Sequence, residues 1–151
     1  MSEHRNWNYK TFLWHGKNEY DLQTLATFSH WADMPTESWF ITSLFENDAT
    51  HLLSQSTEEE SVVLLESELV FNDYEITFWQ LEEVDRKGHI SGFSPENPDY
   101  IEAIETVDRQ IARVLSAIER RNNRQNEEWL IAITTNHGGE GTSHSYSHAR
   151  P

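Results

Sequence analysis

The 151-residue chain contains no cysteine. That excludes a disulfide framework and any thiolate metal site, so a metal here has to be held by histidine, carboxylate, amide or hydroxyl groups. Basic residues are scarce, with 11 Lys and Arg against 26 Asp and Glu and a formal charge of -15. Such a balance argues against a broad basic surface for a phosphate backbone, so nucleic acid is not expected as a tight partner. Long apolar runs are missing as well: no window approaches the roughly 18 residues of a membrane span, and Met1 to Asn6 is polar rather than signal-like. A soluble chain without a membrane partner is expected, and its compartment stays open. No repeat or low-complexity linker interrupts the sequence, so residues 1–151 read as one domain with room for one core.

What is present alternates between helical and strand patterns. Tyr9 to Tyr20 carries Phe12, Leu13, Trp14 and Tyr20 in a weak helical spacing, and Leu22 to Ser29 reads as a short strand. Trp7, Trp14, Trp31 and Trp39 suit core or rim packing better than a substrate pocket. His30 to Pro35 reads as a loop whose His30 and Asp33 have metal-ligand chemistry, although a histidine beside tryptophan at a strand end is more often a packing or surface residue. Ser38 to Phe45 is open between strand and helix, and Glu46-Asn47-Asp48 reads as a turn.

From Ser56 the signals sharpen. Ser56 or Thr57 caps a helix whose first turn holds Glu58, Glu59 and Glu60, favourable with the helix dipole, and whose apolar stripe is Val62, Val63, Leu65, Leu69 and Val70. The acidic run is thus a helix start rather than a cation site. Glu75 to Leu81 has the β-branched and aromatic content of a buried strand. A long amphipathic helix begins at Pro98 after the N-cap Asn97, with Ile101, Ile104, Val107, Ile111, Val114, Leu115 and Ile118 as its apolar positions. Arg120 to Glu128 is a polar loop, and Trp129 to Thr135 is an apolar run expected as a strand buried on both faces. Strand, helix and strand in this order predict a right-handed parallel crossover.

Candidate ligands stand just beyond the two strands of that crossover, where open α/β sheets place their chemistry. Asp85 and His89 flank Gly88, and a turn there could aim a carboxylate and an imidazole at one point. His137 follows the second strand within Asn136-His137-Gly138-Gly139, and His144 and His148 are close enough in sequence to return toward it.

These segments resemble the alkaline phosphatase superfamily, in particular its type I phosphodiesterase and nucleotide pyrophosphatase branch. The likeness is carried by Val84-Asp85-Arg86-Lys87-Gly88-His89, by Tyr100 to Leu115 with Asp108, and by Thr134-Thr135-Asn136-His137-Gly138-Gly139 followed by His144. It implies an α/β/α sandwich with a mainly parallel, incomplete sheet, and a chain that is a partial phosphodiesterase-like domain. It also implies two divalent metals, commonly zinc, and in-line displacement at phosphorus in phosphate esters or phosphodiesters. Asp85 and His89 would bind the first metal with His144, or alternatively His148, as third ligand. His137 would bind the second beside Asn136, where the family has Asp; a neutral amide is the weaker ligand. The family's upstream Asp ligand and its Thr or Ser nucleophile have no match before Tyr9, so no catalytic nucleophile is assigned. Thr134, Thr135, Thr142 and Ser143 offer hydroxyls that read more simply as strand and loop residues. The expectation is a truncated or degenerate hydrolase with little activity alone, or a non-catalytic zinc-binding or interaction module derived from the fold. An incomplete sheet leaves an exposed edge, which predicts self-association.

Overall fold

The computed structural model describes residues 10–29, 48–121 and 124–144. Three parallel strands form the sheet, β1 (Thr24–Ser29), β2 (His51–Gln55) and β3 (Ile76–Gln80), in the order β2-β1-β3. Four helices accompany them: α1 (Phe12–Glu19), α2 (Glu58–Phe71), α3 (Glu83–Ser91) and α4 (Pro98–Glu119). A short antiparallel ribbon closes the described chain, with β4 (Gly139–Glu140) paired to β5 (Ser143–His144). The chain is a mixed α/β protein, as expected.

The central strand shows why. Every residue of β1 is buried, and its side chains alternate between two cores. Leu25 joins Val62, Leu65 and Leu69 of α2 and Val114 and Ile118 of α4 on one face. Ala26 joins Leu13 of α1 and Ala49 on the other, with Leu52, Ile76 and Phe78 packed against them. The register puts Ala26 level with Leu52 and Phe78, and Thr27 level with Leu53 and Trp79, so each face is built from aligned rows. Fully burying each of these aliphatic side chains contributes about 1.5–3 kcal/mol.

Caps set the helix starts. The Thr11 hydroxyl accepts from Trp14 N at the start of α1, and Thr57 with Glu60 forms a reciprocal capping box on α2. Asn97 Oδ1 accepts from Asp99 N, and Pro98 opens α4 as its spacing predicts. The buried stripe of α4 is nevertheless Ala103, Val107, Gln110, Val114, Ala117 and Ile118, while Ile104 and Leu115 face outward. Small Ala103 and Ala117 take positions that a search for large apolar residues passes over. Val63 of α2 likewise lies outside, because the inward row is Glu58, Ser61, Val62, Leu65 and Leu69.

The polar tract after α4 is organised by a buried cation. Arg121 donates to the Leu69 and Asn72 carbonyls at the end of α2, pairs with Asp73 and Glu127, and lies 5.3 Å from the Trp129 ring centre. Its guanidinium holds the Glu127 carboxyl below the usual carboxylate range, helped by the Trp129 indole N–H.

Two expectations require correction. Trp129–Thr135 is not a strand: beyond Trp129 the run lies exposed, with Leu130 96% and Ile133 70% accessible. Among the described residues β3 pairs only with β1, so no strand partner accepts this run and the expected crossover has no second strand on which to end. The segment around Gly88 is not a turn either; Asp85, Gly88 and His89 lie within α3. His30, Asp33, His148, the Ser38 to Phe45 segment, and Trp7, Trp31 and Trp39 lie outside the described residues.

Candidate metal centre

Helix α3 lacks a side-chain cap of its own, because its N-cap residue Glu82 makes no such bond. The buried Glu58 of α2 supplies one from outside: its Oε2 accepts from Glu82 N at 2.7 Å and Glu83 N at 3.0 Å. Burial raises the Glu58 carboxyl above its ordinary value, against the opposing pull of those two N–H groups. This anchor fixes the turn that carries Asp85, and the helical spacing then sets His89 one turn further along the same face.

The ribbon is drawn onto α3 by Phe93. A Cβ at Gly88 would lie 2.1 Å from the Phe93 ring and one at Gly139 would lie 2.2 Å from it, so the ring fits between the two glycines. Phe93 N also donates to Gly141 O at 2.7 Å, and Gly141 turns the ribbon with φ +59°. Pairing of Gly139 with His144 then brings His144 back to α3.

Four candidate ligand side chains meet there. His144 Nε2 lies 3.4 Å and His137 Nε2 3.9 Å from Asp85 Oδ1, and these three atoms make a compact group suited to one metal ion. His89 Nε2 is 3.6 Å from Asp85 Oδ2 and 2.8 Å from His144 Nε2. The His137 and His144 ring centres are 3.7 Å apart. Asn136 is exposed beside His137, and its amide makes no hydrogen bond to any of the four.

The donor chemistry fits a cation. Asp85 Oδ1 is buried with no hydrogen-bond partner, and an orphaned carboxylate oxygen facing imidazoles is a ligand atom in search of charge. His89 Nδ1 faces the Thr142 carbonyl at 2.9 Å and His137 Nδ1 faces the Gly138 carbonyl at 3.1 Å. A carbonyl only accepts, so in both rings Nδ1 carries a proton and Nε2 is the ring atom that faces Asp85. This outer hydrogen bond is the one that orients metal-ligating histidines. Between the Nε2 atoms of His89 and His144, a shared proton or a cation has to stand.

A sequence model of the type I phosphodiesterase / nucleotide pyrophosphatase family matches residues 3–149. The chain belongs to this family. No curated protein and no solved structure matches it. The family is one of metal-dependent phosphodiester and pyrophosphate hydrolases within the alkaline phosphatase superfamily, which agrees with the parallel sheet and with the grouped Asp85, His137 and His144. Among the described residues no helix is long and apolar enough to cross a membrane.

Glu58 and Phe93 carry no local signal of these roles. The capping pattern at Thr57 accounts for the acidic run by itself, whereas the contact of Glu58 with the α3 N-terminus is made across the fold. The pairing of Gly88 with Gly139 around one aromatic ring leaves no trace in local spacing.

Proposed function

We propose that the chain binds zinc, or a divalent ion of similar preference, at the centre formed by Asp85 and the histidines, and acts weakly on phosphate esters or phosphodiesters. The observation that carries this reading is the buried, unbonded Asp85 Oδ1 facing His137 and His144. Two or three imidazoles with one carboxylate match zinc better than the all-oxygen preference of calcium or magnesium. A cation held there supplies Lewis-acid stabilisation of charge developing on a phosphoryl oxygen. The chain's own part is to orient: Glu58 fixes the Asp85 turn, Thr142 O and Gly138 O fix the imidazoles, and Phe93 holds the ribbon against α3.

Weak turnover follows from the residues that surround this centre. Asn136 offers a neutral amide where the family has a carboxylate. The Thr134 and Thr135 hydroxyls donate to the Thr135 and His137 carbonyls, so neither is presented as a nucleophile. Hydrolysis of bis-p-nitrophenyl phosphate by the chain and by Asn136→Asp, each with and without zinc, tests the proposal. Slow zinc-dependent release that rises in Asn136→Asp is expected; rapid metal-independent turnover contradicts it.

A second reading, a non-catalytic zinc-binding or interaction module, is favoured by the exposure of Leu130, Ile131 and Ile133. It predicts zinc binding with no release of nitrophenol by either chain. It also predicts self-association through this apolar run and the side of β3 away from β1, where no further strand lies among the described residues.

A further inference from the structure

We infer that two copies of this chain pair by exchanging strands, with residues 130–135 of each lying beside β3 of the other as the fourth strand of its sheet. This pairing rests on the self-association of the second reading above, gives it a partner and a contact, and stands apart from the metal centre. Both halves of a strand ladder are present and unused. β3 pairs with β1 and with no other strand among the described residues, so the backbone groups along its far side are open. On the face that β3 shares with Leu25, the Thr77 hydroxyl and the Trp79 indole N–H are buried without a hydrogen-bond partner. The other half is the run itself. Residues 130–135 form no backbone hydrogen bond to any other described segment, and Leu130, Ile131 and Ile133 are 96%, 49% and 70% accessible. The run is rich in β-branched residues, carries no proline and is close to β3 in length.

Charge and the way the run is held point to a second copy as the partner. Each copy carries a formal charge of -15, so copies meet favourably only where neither surface is charged. Residues 76–81 and 129–139 contain no Asp, Glu, Lys or Arg. The run is fastened at both ends: Trp129 by the Arg121 guanidinium and by Glu127 Oε2, which accepts from its indole N–H at 2.9 Å, and Gly139 by the Phe93 ring. With its ends fixed and its own β3 unengaged, the run is presented outward. One open side and one free run per chain make the contact self-complementary. A reciprocal exchange therefore closes at two copies and leaves neither edge for a third.

The test uses the full chain with chelator present, so that no metal bridges the copies, and reads mass by light scattering after size exclusion. A concentration-dependent dimer is expected. Ile133→Pro should raise its dissociation constant at least about tenfold, because proline removes a ladder N–H. Its circular dichroism should stay that of the wild type, since Ile133 is exposed and unpaired within one chain. The absence of cysteine allows a second measurement. Thr77→Cys with Ala132→Cys in one chain, treated with a short bis-maleimide, should run as a covalent dimer on a denaturing gel, as should a mixture of the two single variants. Cross-linking only within one chain, a dimer indifferent to Ile133→Pro, or growth beyond two copies overturns the exchange but not self-association itself. A monomer at every concentration overturns both, and none of these results bears on the metal centre.

Discussion

The two ends of this chain's architecture are held together by different means. The sheet with α1, α2 and α4 is built by aligned apolar rows, whereas α3, which packs along α4, is tied to the sheet side and to the ribbon by a few specific contacts: Glu58 on its N-terminus and Phe93 between two glycines. Stability resides in the first region and candidate chemistry in the second. Between them the run from Leu130 to Ile133 is apolar yet exposed, the reverse of what its composition suggests.

The largest test of this division is to damage each side separately. Leu65→Ala in the packed half should cost about 2–5 kcal/mol in denaturant unfolding, because it empties a fully buried position. Zinc affinity should be lost only as unfolding begins. Gly139→Val should do the opposite, since its side chain collides with the Phe93 ring: zinc binding should fall by roughly 10–100-fold, with little change in the unfolding midpoint. If Gly139→Val unfolds the whole chain, the two regions are one cooperative unit and the contrast fails.

Acid should reach the Arg121 clamp before it reaches the apolar core. Glu127 has its carboxyl lowered chiefly by Arg121, and Glu59 has its own lowered chiefly by Arg113. Their contributions are therefore present above the unfolded value, about 4.3, and are lost as pH falls through the folded values. Glu58 is raised by burial, so its contribution runs the other way: fullest below the unfolded value, it declines as pH rises through the folded one. Thermal midpoints across pH 3–7 should fall at the acid end less steeply in Glu127→Gln than in the wild type. Glu58→Gln should remove a decline toward neutral pH, and an unchanged profile in both variants would discount these assignments.

The smallest expected effect concerns the exposed run. Leu130→Ser with Ile133→Ser should change unfolding stability by no more than about 0.5 kcal/mol, as substitutions at exposed sites do. It should still reduce concentration-dependent light scattering if that run mediates self-association. A wild-type monomer at all concentrations would remove the interaction role.

Much of the packed half was legible because its signals are local. Thr57 before three glutamates, Asn97 before Pro98, and the β-branched run at Ile76 specify caps and strands within a few residues. The candidate ligands Asp85, His89, His137 and His144 were likewise visible as residue types and motifs. Their meeting depends on long-range contacts, above all the Phe93 ring between Gly88 and Gly139, which no periodicity reports. Trp129 to Thr135 misled for a related reason: an apolar run says that burial is favourable, and strand formation further requires a neighbour with a free edge in the right place.

The most direct measurement of the central claim is a long-range proton–nitrogen correlation spectrum of the histidine rings during zinc titration. The geometry predicts His89 and His137 as Nδ1-protonated tautomers before zinc, and displacement of the Nε2 resonances of His137 and His144 on binding, with His15 and His51 unmoved. Zinc-induced shifts confined to His15 or His51, or none at the ribbon histidines, would contradict a metal centre built on Asp85.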